Sequence, residues 1–141
     1  MDLDILNDLR QPIDFGLVVL IWLVQLIIYP SFLQVAPERL LDWHAKYTQR
    51  MGCIVAPIMF AQLGLSIVGL WQTGTALAWL DLTLVLSCWV LTFTLSVPLH
   101  QRIAAGESDP EILRRLVLTN WPRTLVWTFL GGLAAWESWK V

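Results

Sequence analysis

Two histidines, an asparagine and an arginine are the side chains of this sequence best suited to acid–base chemistry. His44 lies in the pattern Trp-His-x-x-Tyr-x-x-Arg, and spacings of three residues place His44, Tyr47 and Arg50 on one face of a helix. A neutral imidazole can accept a proton near neutral pH, while an amide and a guanidinium can stabilise the resulting anion. The sequence therefore predicts four candidate catalytic residues: His44, His100, Asn120 and Arg123.

The segments that carry these residues border long stretches without charge. Residues 15–37, 51–80 and 82–101 contain no Asp, Glu, Lys or Arg, and residues 116–136 contain only Arg123. A helix needs roughly 20 apolar residues to cross a bilayer. An ionisable residue inside such a helix is costly, so it marks a functional site or a snorkelling anchor. The four candidates lie at the ends of these stretches, so we expect them at a similar depth, with the two imidazoles within about 12 Å of each other.

The composition agrees with a membrane protein. Hydrophobic residues make up 57% of the chain and charged residues 14%, whereas a soluble domain carries about 25% charged residues. The fold predicted is an all-α integral membrane four-helix bundle, a single transmembrane domain over residues 1–141. Its spans are expected at about 13–36, 51–71, 79–100 and 121–139. The net charge of −2 and the lack of a basic stripe exclude nucleic acid as a partner.

The two longer connections predict short interfacial helices at the cytoplasmic surface. Residues 37–50 should form one that leads into the second span. Asp109-Pro110-Glu111 indicates the start of another, with Asp as N-cap and Pro in the first turn. Gln11-Pro12 and Asp14 should begin the first span. Four further prolines should kink the spans: Pro30, Pro57, Pro98 and Pro122.

Polar and small residues recur at helical spacing within the spans, and these should face the bundle interior. They are Trp22, Gln25 and Tyr29; Gln62, Ser66 and Gly69; Ser87, Thr94 and Gln101; and Asn120, Trp127 and Ala134. One interpretation is helix packing through small residues and interhelical hydrogen bonds. The other is a ligand cavity, for which the candidate ligand-binding residues are Tyr47, Arg50, Trp121, Trp22, Gln25, Tyr29, Gln62 and Trp127.

Each candidate also has a purely structural interpretation. Asn120 can cap a helix, Arg123 can snorkel to phosphate, and the histidines can be interfacial polar residues. No motif for a protein-held metal site is present, so no metal ligands are predicted. No cofactor is assigned; haem remains an alternative through His44 and His100. No acidic residue is expected at mid-membrane, which argues against a proton relay or cation-coupled transport.

Four motifs carry a resemblance to known proteins. Tyr29-Pro30-x-Phe32, Trp43-His44-x-x-Tyr47, Val97-Pro98-Leu99-His100 and Leu118-Thr119-Asn120-Trp121-Pro122-Arg123-Thr124 resemble small bacterial four-helix membrane proteins over nearly the whole chain. More distantly, Asn120-x-x-Arg123 is similar to the opening of the last helix in the anthrone oxygenase-like family. That likeness implies a polar site of His44, His100, Asn120 and Arg123. It also implies an oxygenase-like activity on a hydrophobic phenolic substrate, without a classical cofactor.

The function therefore stays open between two classes. One is a small membrane enzyme or ligand-binding protein whose partners are the lipid bilayer and a hydrophobic small molecule. The other is an accessory subunit that packs against partner membrane subunits or copies of itself. In the first class, Trp22, Trp89 and Trp127 should point inward and line a pocket; in the second, they should face outward.

The distribution of basic residues predicts the orientation in the bacterial inner membrane. Seven of the nine lysines and arginines lie in the two longer connections or at the start of the fourth span. Basic loops stay cytoplasmic, so both termini should lie outside. A reporter that is active only in the cytoplasm should therefore give low activity when fused to the C-terminus, and strong activity would contradict this orientation.

Overall fold

The computed structural model describes residues 3–139, and within that range the chain is helical with no strand. Six α-helices and two π turns form four rods. The first rod is α1 (Leu3–Leu23), a π turn (Val24–Ile28) and α2 (Tyr29–Phe32). The second is α3 (Pro37–Thr73), the third is α4 (Ala76–Leu91), a π turn (Thr92–Ser96) and α5 (Val97–Ala104), and the fourth is α6 (Pro110–Ser138). The all-helical fold is as predicted.

Three of these rods are long and apolar enough to cross a membrane: Asp8–Phe32, Pro37–Thr73 and Ala76–Ala104. The fourth rod, α6, is not among them. It is long enough, but its middle carries the polar residues Asn120, Arg123 and Thr124, which lower its hydropathy. All three of these residues are buried inside the bundle.

The helix boundaries correct two predictions. The first helix begins by Leu3 and continues through Pro12, so residues 11–14 do not start it. Residues 37–50 do not form a separate interfacial helix. They are the first turns of α3, a single helix of 37 residues that continues through Gly52 and Pro57.

The remaining ends follow from local residue types. The start predicted at Asp109 is confirmed, because the Asp109 carboxylate accepts a hydrogen bond of 2.9 Å from the Glu111 amide. The separate interfacial helix predicted there is wrong, since α6 runs unbroken from Pro110 to Ser138. Between α3 and α4, Gly74 adopts a left-handed φ of 59°, and Thr75 caps α4 by accepting from the Ala78 amide. This two-residue turn marks one end of the bundle, here the turn end. Residues 33–36 and 105–109 join the helices at the other end, here the histidine end.

Each π turn lies directly before a proline-containing helix. The amide of Tyr29 donates to the carbonyl of Val24, and the amide of Val97 donates to that of Thr92, five residues back in both cases. Proline at the next position has no N–H, and its ring would collide with a carbonyl in a regular turn. A wider turn removes that conflict. The bends predicted at Pro30 and Pro98 are therefore π turns, whereas α3 and α6 run through Pro57 and Pro122 as continuous helices.

The buried faces match the predicted stripes on three rods. Gln25 and Tyr29, Gln62 and Ser66, and Asn120 and Trp127 are all buried, and Trp22 is half-buried. On the third rod the predicted heptad stripe is wrong. Thr94 and Gln101 are exposed and Ser87 is half-buried, while the buried line runs through Asp81, Val85, Cys88 and Ser96. The prediction assumed one helical period, and the π turn at Thr92–Ser96 changes the register there.

Close packing between α1 and α6 depends on one glycine. A Cβ atom at Gly131 would lie 2.6 Å from Cγ2 of Val18, whereas one at Gly132 would meet no atom within 4 Å. Because the branched valine side chain is stiff at χ1, it cannot easily move away.

Gly132→Ala should therefore raise the free energy of unfolding by about 1 kcal/mol through helix propensity. In Gly131→Ala the same gain should be lost, because overpacking costs roughly 1–3 kcal/mol. Thermal unfolding in one detergent compares the two variants. Equal stabilisation of both would mean that α1 and α6 do not pack as closely as described.

Candidate functional site

The two histidines meet in the bundle interior at the histidine end. Nε2 of His44, from α3, lies 2.8 Å from Nδ1 of His100, from α5, and the ring centroids are 5.1 Å apart, inside the expected 12 Å. Nε2 of His100 lies 3.0 Å from the hydroxyl of Tyr29. Three rods thus contribute to one chain of hydrogen bonds. Nδ1 of His44 is buried and has no protein partner in the described part of the chain.

The guanidinium of Arg123 extends this chain from α6. Its Nη2 donates to the Tyr29 hydroxyl at 3.4 Å and to Oδ1 of Asn120, and its Nη1 donates to the hydroxyl of Thr92 at 3.1 Å. The residue is only 6% exposed, and its Nε has no partner among residues 3–139. All of these partners are neutral. No carboxylate forms an ion pair with Arg123 within residues 3–139.

A buried amide pair holds the arginine in place. Nδ2 of Asn120 donates to Oε1 of Gln25 at 2.8 Å, and Nε2 of Gln25 donates to the Val117 carbonyl at 3.2 Å. The Thr124 hydroxyl lies 3.3 Å from the same Oε1 of Gln25. Because Asn120 uses its nitrogen on Gln25, its oxygen faces Arg123. The amides of Asn120 and Gln25 therefore hold the guanidinium in place from the side opposite the cavity.

A cavity of about 400 Å³ lies next to these groups. Six of the predicted site residues line it: Tyr29, His44, Tyr47, His100, Arg123 and Trp127. Most of the remaining wall is apolar and includes Leu20, Ile21, Val24, Met51 and Val55. The cavity wall thus combines a few polar groups with a larger number of apolar side chains, as is typical of small-molecule sites.

The cavity opens where α3 and α5 border it. Of its lining residues, only Gly52 on α3 and Gln101 and Ala104 on α5 are exposed. The lining residues from α1 and α6 are buried or half-buried. A ligand would therefore enter beside α3 and α5.

The remaining predicted ligand-binding residues lie outside the cavity wall. Trp22 and Trp121 pack edge to face, with ring centroids 5.9 Å apart, so Trp121 does not form the cavity rim. Arg50 is exposed and lines a separate groove with Trp43 and Lys46. Asn120 and Gln25 support Arg123 from behind, and Gln62 accepts a hydrogen bond from Trp127 at 3.1 Å.

Both π turns position site residues. The first contains Gln25 and ends against Tyr29, and the second contains Thr92, which accepts from Arg123. Such turns are often found at functional sites, because the extra residue re-aims the side chains around it. In this chain they bring two proline-bearing rods to the histidines and to Arg123.

The direct contact of the imidazoles does not fit a haem bound by both. Two axial histidines would need the iron and the porphyrin plane between their nitrogens, whereas His44 and His100 share a hydrogen bond of 2.8 Å.

No group of three His, Cys, Asp or Glu side chains that could hold a metal ion occurs among the described residues. Cys88 is buried and Cys53 is exposed, and both are free thiols.

Sequence reasoning missed a second buried polar cluster, nearer the turn end. Arg10 donates to Asp14 at 3.2 Å and also to Asp81, and Gln62 donates to Asp14 at 2.6 Å. The sequence predicts Asp14 at the start of the first span and assigns no role to Asp81. In the structure both carboxyl groups are buried among the helices. The available signal was the spacing of four between Arg10 and Asp14, which places an ion pair on one helical face.

Asn120→Leu should destabilise the bundle, because it leaves the charged Arg123 and the Gln25 amide each short of a buried partner. A loss of roughly 3 kcal/mol in the free energy of unfolding is expected. The control is Thr119→Val on the preceding residue, whose hydroxyl only bonds its own helix. Thermal unfolding in detergent should separate the two clearly, and similar small shifts would show that Arg123 does not depend on Asn120.

The chain matches no protein-family model, no curated protein and no solved structure. The site is therefore interpreted from its own geometry. Its main features are a buried arginine with neutral partners, a hydrogen-bonded pair of histidines, and an apolar cavity that opens beside α3 and α5.

Proposed function

We propose that this protein spans the bacterial inner membrane with four helices and binds a hydrophobic phenolic or otherwise acidic small molecule in the cavity. The histidine end then faces the cytoplasm, and both termini lie outside. In this arrangement α6 crosses the membrane with its polar residues turned inward, where Asn120, Arg123 and Thr124 bond other helices instead of lipid.

The observation that carries this proposal is the uncompensated charge of Arg123. A buried cation normally pairs with an anion, since desolvation makes an isolated charge expensive. Arg123 borders the cavity, and its hydrogen-bond partners among the described residues are two hydroxyls and one amide, with none for Nε. A phenolate or carboxylate in the cavity would supply the missing negative charge.

The rest of the cavity favours an aromatic, largely apolar body for this ligand. Of the three tryptophans expected to line a pocket, Trp127 lines the cavity, whereas Trp22 and Trp89 lie outside its wall. Tyr29 and Tyr47 add two further rings to the cavity wall. Aromatic side chains pack well edge to face or offset against a fused-ring ligand. The opening beside α3 and α5 would admit such a molecule from the bilayer.

The histidine pair supports a proton-transfer step on this ligand. When Nδ1 of His44 is unprotonated, it can accept the proton of a phenol that lies in the cavity. The hydrogen bond to His100 lets the two rings share that proton, while Arg123 stabilises the phenolate. An oxygenase-like reaction of the phenolate with dioxygen is the activity implied by the resemblance at Asn120 and Arg123.

Binding of 1-naphthol to the protein in lipid nanodiscs tests the proposal, with quenching of tryptophan fluorescence as the readout. Arg123→Gln should weaken binding by roughly tenfold to a hundredfold, because hydrogen bonds to a charged group contribute about 1.5–3 kcal/mol. Arg114→Gln, on an exposed position of the same helix, should leave the affinity unchanged.

Two comparisons assign the binding to the cavity. Gly52→Leu adds a side chain at the opening and should reduce the affinity, whereas Gly64→Leu, exposed on the same helix but away from the cavity, should not. Naphthalene, which lacks the hydroxyl, should bind wild type and Arg123→Gln equally weakly. If 1-naphthol binds all variants alike, it partitions into lipid and the proposal is wrong.

Oxygen consumption with anthrone separately tests the oxygenase-like step.

A further inference from the structure

The chain of hydrogen bonds at the histidine end has a direction, which its arginine sets. A guanidinium can only donate, and Nη2 of Arg123 lies 3.4 Å from the hydroxyl oxygen of Tyr29. The positive charge turns the lone pairs of that oxygen toward itself and the O–H away. Among the described residues, the acceptor within hydrogen-bond distance of this O–H is Nε2 of His100, at 3.0 Å. Tyr29 therefore donates to His100.

An accepting Nε2 determines the tautomer of each histidine in turn. A neutral imidazole carries one proton, so a His100 that accepts at Nε2 holds its proton on Nδ1 and donates from there. Nδ1 of His100 lies 2.8 Å from Nε2 of His44, which therefore accepts. The proton of a neutral His44 is then on its Nδ1, the buried nitrogen that has no partner among residues 3–139.

The surroundings favour the neutral form of both rings. The contact of 2.8 Å between the two nitrogens holds one proton, so the rings cannot both be imidazolium ions. A single imidazolium would add a second positive charge beside Arg123. Within residues 3–139 no carboxylate forms an ion pair with either histidine or with Arg123. A buried charge without an ionic partner is costly, whereas the neutral chain needs none.

We propose that the chain from Arg123 through Tyr29 and His100 to His44 is polarised in this direction, with both histidines as Nδ1–H tautomers, and that Tyr29 is the positioning residue that sets them. His44, which lines the cavity, is then a hydrogen-bond donor at Nδ1 in the ligand-free protein. It becomes a proton acceptor only in the reversed chain, for which the O–H of Tyr29 must turn away from His100. This consequence for proton transfer rests on the proposed function, whereas the tautomers themselves do not.

Nuclear magnetic resonance tests the tautomers directly, because the chain has two histidines and ¹⁵N labelling of histidine reports on these rings alone. Two-bond ¹H–¹⁵N spectra of the ligand-free protein at neutral pH should show a protonated Nδ1 and an unprotonated Nε2 in both rings. A histidine exposed to water favours the opposite tautomer, so the result separates this site from interfacial anchors. Protonated Nε2 in both rings, or an imidazolium in either, would overturn the proposal.

Two matched variants test the role of Tyr29. Tyr29→Phe removes the hydroxyl that donates to His100, so the Nδ1–H tautomer should lose population in both rings together. Tyr47→Phe removes another hydroxyl of the cavity wall, which also interacts with Tyr29, but leaves the contacts of Tyr29 with Arg123 and His100 in place. Its spectrum should match that of wild type. Unchanged tautomers in Tyr29→Phe, or an equal loss in Tyr47→Phe, would contradict the assignment.

Two further measurements keep these results interpretable. Thermal unfolding shows whether Tyr29→Phe is folded, and if it is not, the wild-type spectrum decides. Binding of 1-naphthol is measured on the same wild-type sample. Absent binding together with the expected tautomers would refute the proposed function alone, whereas normal binding with other tautomers would refute the polarised chain alone.

Discussion

Burial of the Arg123 guanidinium inside an apolar bundle is the constraint on which the site depends. In such an interior an N–H without an acceptor is costly, since water is excluded. Asn120 on the same helix, Thr92 on the third rod and Tyr29 on the first accept from Nη1 and Nη2, and Nε is left without a partner among the described residues. The hydrogen bonds of this one side chain thus fix three rods relative to one another. His100 on α5 is linked to them through its hydrogen bond with Tyr29. The cavity is the space that this arrangement leaves open beside the cation.

Much of this arrangement could be predicted from residue types alone. A charge within an apolar run has few ways to be satisfied, so Arg123 and its neighbour Asn120 indicated an interior site before any geometry was known. His44 and His100 stood at the ends of apolar runs, which placed them at one depth. The burial of Gln25 and Gln62 followed from helical spacing, because amides that face inward bond across helices. The all-helical fold followed from the length and composition of the same runs.

The errors have physical causes. The stripe predicted through Thr94 and Gln101 failed because a regular period was carried through a π turn, and the amino-acid pattern gives the proline but not the wider turn before it. The sequence did not indicate the burial of Asp14 and Asp81, because each lies at the edge of an uncharged run. The edge of such a run marks the end of a helix only if the helix starts where the charges stop. Here the first helix begins at Leu3, before its charged residues end, so Arg10 and Asp14 are buried in the bundle as an ion pair.

The two π turns distinguish this bundle from one that is built only of regular α-helices. Each turn contains one residue more than an α-turn, and a helical residue corresponds to a rotation of about 100°. Because the wider turn absorbs the extra residue, Leu17 and Ile21 before it and Tyr29 after it keep their inward faces, and the side chains within the turn, such as Gln25, are the ones that change direction. A bundle that only packs and a bundle with a polar cavity can therefore differ by single-residue insertions. Such insertions offer a short route by which a structural membrane protein could acquire a binding site.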